Sequence, residues 1–133
     1  MRCERNGNKL YDTNIFIYYL TGDETVSEYF SNAFLNNNYV ETSPIVRIEL
    51  LCFSGLSNKE KEVIEDLLSQ FDSIPISRKV ENRTIALKRK HKIKLPDAVI
   101  AATSLCQKAA LVTRNVRDFR AYCRIKIRES FWG

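Results

Sequence analysis

Short apolar strands alternating with longer helices predict an α/β chain on a central parallel sheet with helices on its faces. Brief apolar runs at residues 9–12, 39–42 and 110–113 each stop at a polar residue that suits a turn or helix start. The segments between them carry apolar residues at helical spacing and are too long for strands. The 133 residues, 44% hydrophobic with 4 Gly and 3 Pro, suffice for one domain, 1–133, around a single core.

The elements follow in order. Residues 9–12 read as a short buried strand ending at an acid. Residues 13–20 are apolar enough for a buried helix. Val26, Phe30, Ala33 and Phe34 keep a 3.6-residue period, which predicts one helix over about 23–37. Residues 39–42 form a second strand. Ser43-Pro44 is a helix start, serine capping and proline in the first turn, and that helix is expected to end near Ser54-Gly55. Ser57-Asn58-Lys59-Glu60 is a capping box, followed by Val63, Ile64, Leu67, Leu68 and Phe71 on the inner face. Residues 73–76 read as a strand that Pro75 confines to an edge. Ser77 caps a helix carrying Val80, Thr84 and Leu87. Pro96 starts a helix over 97–109. A strand at 110–113, a short helix at 117–122 and a strand at 125–127 complete the chain.

The net charge of +5 is unevenly spread. Residues 78–94 hold eight Lys or Arg, one His and a single acid, Glu81. A second cluster comprises Arg114, Arg117, Arg120, Arg124, Lys126 and Arg128. Each run alone reads as a solvated helix face. No apolar run reaches the roughly 18–20 residues a membrane helix needs, and the polar start Met1–Lys9 has no signal-peptide core, so the expected location is cytoplasmic, with no membrane partner. Cys3, Cys52, Cys106 and Cys123 lack C-x-x-C spacing; Cys52 and Cys106 are expected to be small core hydrophobes, unpaired.

Four carboxylates stand out against this basic background: Asp12, Glu49, Asp97 and Asp118. Each lies within or beside an apolar segment, where an ionised acid needs a partner, a metal or a raised pKa. Asp12 and Asp118 follow predicted strands, the positions at which sites form in open α/β sheets. The acids are 37, 48 and 21 residues apart, so only folding unites them. Hard oxygens without a matching His or Cys suit Mg²⁺ or Mn²⁺, ions that promote phosphodiester hydrolysis. Thr13 and Asn14 stand where they can orient Asp12, and Asn115 where it can hold a water or phosphate. Structural alternatives stay open for each acid: a strand-end turn for Asp12, a dipole-favoured first-turn acid for Asp97, a cap for Asp118, an exposed glutamate on an amphipathic helix for Glu49. His91, the only histidine, sits in the basic run and is expected to be exposed; no nucleophile scheme finds partners.

Asp12-Thr13-Asn14-Ile15, Arg47-Ile48-Glu49-Leu50, Leu95-Pro96-Asp97-Ala98-Val99-Ile100-Ala101-Ala102 and Leu111-Val112-Thr113-Arg114-Asn115-Val116-Arg117-Asp118-Phe119 together resemble the successive motifs of PIN-domain ribonucleases, nearest to the VapC-type toxins of toxin–antitoxin pairs. The likeness spans about residues 9–128. It implies a three-layer α/β/α sandwich with a short central parallel sheet. It implies Mg²⁺- or Mn²⁺-dependent cleavage of single-stranded or structured RNA, tRNA included. Asp12 and Asp97 would be the firmest metal ligands, with Glu49 and Asp118 completing the set and Thr113 and Asn115 beside it. It also implies a homodimer restrained by a small cognate antitoxin. Residues 1–8, a polar extension, and the aromatic tail 127–133 depart from the pattern. A non-cleaving PIN-fold binding module and an RNA-processing nuclease without antitoxin are the alternative readings.

Overall fold

The computed structural model describes residues 7–122 and the backbone of 125–126. The extension at 1–6, the tail from 127, Cys3, Cys123 and the side chains of Arg124, Lys126 and Arg128 lie outside the described residues. Five strands, β1 (Asn8–Tyr11), β2 (Tyr39–Thr42), β3 (Asp72–Ser73), β4 (Ala110–Val112) and β5 (Ile125–Lys126), form one parallel sheet in the order β3-β2-β1-β4-β5. The helices are α1 (Thr13–Leu20), α2 (Asn32–Asn37), α3 (Pro44–Leu51), α4 (Asn58–Leu68), α5 (Arg78–Lys90), α6 (Leu95–Gln107) and α7 (Val116–Phe119), with a 3₁₀ helix at Glu24–Phe30. α6 packs on β1, β4 and α5, and α3 packs on α1 and α4. None of the described helices is long and apolar enough to cross a membrane.

β1 is the central strand because both its faces are covered. Leu10 and Tyr11 are fully buried, and Leu10 aligns with Glu41 on one side and Leu111 on the other. Chain order reverses direction between β1 and β4, which makes the carboxyl ends of those strands the crevice where ligands gather in open α/β sheets. Beneath that crevice Tyr11, Phe16, Tyr29, Phe30 and Phe71 pack edge to face, with Phe16 and Phe71 5.3 Å apart between ring centres. The Tyr11 hydroxyl donates to the Tyr29 carbonyl at 2.6 Å, tying the end of β1 to the 3₁₀ helix.

Most elements start where their caps predict. Ser43, Ser57 and Ser77 cap α3, α4 and α5, and Ser57 and Glu60 complete the capping box. The single helix expected over 23–37 is instead two. Ser31 adopts an extended backbone and its hydroxyl accepts from the Phe34 N–H at 3.1 Å, so serine ends one helix and caps the next although the apolar period runs through it. The helix carrying Glu49 stops at Leu51; Gly55 lies in the following turn without the positive φ that a glycine cap uses. The third strand shifts to Asp72–Ser73: Ile74 N–H still reaches the Thr42 carbonyl at 2.8 Å, but Pro75 has no N–H to extend the ladder. α6 begins at Leu95, with Pro96 in its first turn, and ends at Gln107 because Lys108 takes a left-handed conformation. α7 starts one residue early and gives way to a turn at Arg120. Cys52 is exposed, not a core residue as expected, because α3 ends just before it; Cys106 is half-buried against the core.

Candidate active site

Asp12 leaves β1 and caps α1 in one step. Its backbone N–H donates to the Val112 carbonyl at 3.0 Å, continuing the β1–β4 ladder, while its side chain turns to the helix start. One carboxylate oxygen accepts from the Thr13 N–H at 2.8 Å and the other from the Thr113 hydroxyl at 2.8 Å. Thr113 is itself fully buried and accepts from the Asn115 N–H at 2.9 Å and the Asn14 amide at 3.4 Å. A hydroxyl has two lone pairs, so those two donors leave its one proton directed at Asp12.

The network continues outward on both sides. The Thr13 hydroxyl donates to Glu49 at 2.6 Å, joining α1 to α3. The Asn115 amide donates to Asp118 at 2.9 Å within α7 and its cap. Glu49, Thr13, Asp12, Thr113, Asn115 and Asp118 thus form one chain of contacts across four elements. Asp97 sits in the first turn of α6, half-buried, and its carboxyl is governed by burial and by the charges of Glu49, Asp118 and Lys94.

These charges act on one another. Burial pushes the Asp12 carboxyl up to about 6, against the pull of its Thr113 and Thr13 hydrogen bonds, and the charges of Asp97 and Glu49 add to the rise. Burial likewise raises Asp97, reinforced by Glu49 and Asp118 and opposed by Lys94. Asp97 is therefore acted on by Glu49 and Asp118 and itself acts on Asp12. All four sequence-predicted carboxylates converge at the carboxyl ends of β1 and β4, with Thr13, Asn14, Thr113 and Asn115 among them.

Their settings differ from the expectation of four acids in apolar surroundings. Only Asp12 is buried, at 6% exposure; Asp97 is half-buried, and Glu49 and Asp118 are exposed. Ile48 beside Glu49 is 57% exposed, so the apolar run around that acid does not enclose it. Among the described residues no three His, Cys, Asp or Glu side chains are drawn close enough to share one ion. The chemistry of the set nonetheless fits a hard divalent cation: every donor is a carboxylate oxygen, one acid is ionised at the cost of burial, and mutual repulsion raises two of them.

Three features were not legible as site elements. Arg114 reads from sequence as one more member of a basic cluster, yet its guanidinium lies 4.3 Å over the Tyr18 ring and pairs with Asp23 at 2.9 Å, while its backbone N–H points to Asn14 at 3.5 Å. His91, exposed as expected, touches the Tyr122 ring at 4.6 Å between centres. An apolar groove of about 480 Å³ runs beside Glu49, walled by Ile17 and Leu20 of α1, Leu50 of α3, Phe53, and Val63 of α4. Ile17, Phe53 and Val63 are exposed there, and only their shared face in the fold distinguishes them from scattered surface apolars.

The PIN domain family model matches residues 9–125. No curated protein matches the chain. Among solved structures, a toxin–antitoxin complex from Klebsiella pneumoniae is similar over 84% of this chain and 89% of that one, at 31% identity and a TM-score of 0.71. VapBC2 from Rickettsia felis bound to a DNA fragment from their promoter gives 24% identity, 91% and 98% coverage and a TM-score of 0.73. VapBC-1 from nontypeable Haemophilus influenzae gives 23%, 93% and 98%, and 0.74.

Proposed function

The chain belongs to the PIN-domain family, and from that premise we propose that it is a metal-dependent endoribonuclease, the VapC-type toxin of a toxin–antitoxin pair. The observation that carries this reading is the convergence of Asp12, Glu49, Asp97 and Asp118 at the carboxyl ends of β1 and β4, on a protein of net charge +5. Asp12 and Asp97 would hold Mg²⁺ or Mn²⁺, with Glu49 and Asp118 completing the site. When bound, such an ion makes water a better nucleophile and stabilises the leaving oxygen of a phosphodiester.

The chain's own residues supply position and charge. Thr113 and the Thr13 N–H fix both oxygens of Asp12, so that carboxylate does not rotate as substrate arrives. Thr13 holds Glu49 and Asn115 holds Asp118 at the rim, each on a hydroxyl or amide that needs no proton change. The acids alone would repel a phosphate backbone. Lys94 beside Asp97, and the exposed basic residues of α5 and of the segment after it, offset that repulsion and draw RNA toward the site. The Klebsiella relative is a toxin–antitoxin complex, which supports a cognate antitoxin here; its apolar segment would occupy the groove between α1, α3 and α4, alongside Glu49.

The test is cleavage of labelled tRNA and single-stranded RNA by purified protein in Mg²⁺, Mn²⁺ or EDTA, beside Asp97→Asn. Discrete products that require metal and vanish in the variant are expected. Folded, antitoxin-free protein that binds RNA and never cuts it would overturn the nuclease assignment in favour of a binding module.

A further inference from the structure

We propose that the His91–Tyr122 ring pair, set among Lys90, Lys92, Lys94 and Arg120, is a platform on which a single-stranded RNA stacks an unpaired base beside the acid cluster. The inference rests on the RNA reading above and deepens it by placing a specific contact on the substrate strand. His91 belongs to the segment that links α5 to α6, and Tyr122 to the turn after α7. The same two segments carry acids: Asp97 lies six residues after His91, and Asp118 four residues before Tyr122. Asp97 and Asp118 act on one another electrostatically, and the two rings meet at 4.6 Å between centres, inclined at 62°. The same two chain segments therefore carry both the ring pair and this pair of acids.

The surroundings match a nucleic acid strand. Lys90, Lys92, Lys94 and Arg120 are exposed, as is His91; Tyr122 is half-buried. Aromatic rings interleaved with cations are the arrangement that binds single strands, because every base has a face to stack and every nucleotide a phosphate to pair. The platform is also held in place. Lys88, at the end of α5, donates to the Ile93 carbonyl at 2.7 Å, and Ile93 is buried beneath the segment. A rim fixed before the ligand arrives loses little entropy on binding. A duplex offers no base face to such a platform, so the geometry favours unpaired RNA over a helix.

The measurement is fluorescence anisotropy of a labelled single-stranded RNA with non-cleaving Asp97→Asn protein, alone and combined with His91→Ala, Tyr122→Leu or Tyr122→Phe. A strand of the same length with abasic sites serves as the second probe. His91→Ala and Tyr122→Leu should weaken binding of the base-bearing strand about 5- to 100-fold, the range for one lost stacking contact. Tyr122→Phe keeps the ring and should bind like the parent. On the abasic strand all three should match the parent, a result that a merely structural role for Tyr122 would not give. Equal loss on both strands, or no loss on the base-bearing one, would overturn the platform. If Tyr122→Leu melts early, His91→Ala reads the same contact from the other ring. Failure of the wild-type protein to cleave any RNA in Mg²⁺ or Mn²⁺ is a separate result and speaks against the nuclease reading instead.

Discussion

Asp12→Asn should stabilise the metal-free protein while removing its activity. Asp12 is 6% exposed and its carboxyl rises from an ordinary 3.8 to about 6. A raised carboxyl binds its proton more tightly in the folded chain, so stability falls as pH climbs from the unfolded value through the folded one. At 1.36 kcal/mol per unit the loss reaches about 3 kcal/mol by about pH 7.5 and is about half that near pH 5. Asparagine removes this cost. It keeps an oxygen for the Thr13 N–H but turns an amide toward Thr113, whose acceptor sites are already filled by Asn115 and Asn14, a mismatch of about 1–2 kcal/mol. The net gain is about 1–2 kcal/mol near pH 7.5, or about 4–8 °C in melting temperature, shrinking by about 1.4 kcal/mol near pH 5. Thermal and urea melts of both proteins in EDTA at the two pH values provide the assay. A variant less stable than wild type at the higher pH, or a difference that does not change with pH, would refute the burial argument.

Adding Mg²⁺ or Mn²⁺ should raise the melting temperature of wild type and leave Asp12→Asn unmoved; an equal rise in both would place the ion elsewhere. Thr113→Val removes a buried hydroxyl that serves Asp12, Asn115 and Asn14, and should cost about 1–3 kcal/mol by urea denaturation, with a further upward shift of the Asp12 carboxyl readable by NMR titration. Arg114→Ala loses a partly exposed ion pair and its stacking on Tyr18, about 0.5–1.5 kcal/mol, and should speed proteolysis near Asp23. Val63→Asp places a charge in the apolar groove and should weaken capture of the antitoxin at least tenfold by titration calorimetry; unaltered capture would move the antitoxin to another face.

The parts of this molecule that follow local rules could be read from sequence. Serine caps, the Ser57–Glu60 box and Asp12 at the end of β1 depend on neighbours within four residues, and the structure places these near their expected positions. The four motifs gave the family, and the PIN domain match over residues 9–125 agrees with it. Misreadings arose where a second local preference competed. At Ser31 the helical period argued for continuity and the side chain argued for a cap, and the cap prevailed. Cys52 read as a core residue by its apolar neighbours, but helix phase and termination decide exposure, and α3 ended one residue too soon. The unequal burial of the acids, the Arg114 stack on Tyr18 and the His91–Tyr122 contact join residues far apart in sequence, and no local pattern encodes which side chains meet there.

The hydrogen bond from Thr113 to Asp12 links residues 101 positions apart, and it lies where the last long stretch of chain returns to the first strand. Contacts of such separation close late, because the entropy of bringing distant segments together must be met before they return any energy. A chain made from its amino end therefore carries Asp12 and Glu49 through most of its synthesis without Asp97, Asp118 or the hydroxyl that aims Asp12. Half-made chains and fragments cut between α4 and α5 hold two acids on one piece and two on the other. The acid set, with the hydroxyl that aims Asp12, is complete only once β4 pairs with β1. On the toxin reading proposed above, a chain still being made carries only part of the acid set, and an inhibitor made alongside it has that interval in which to accumulate.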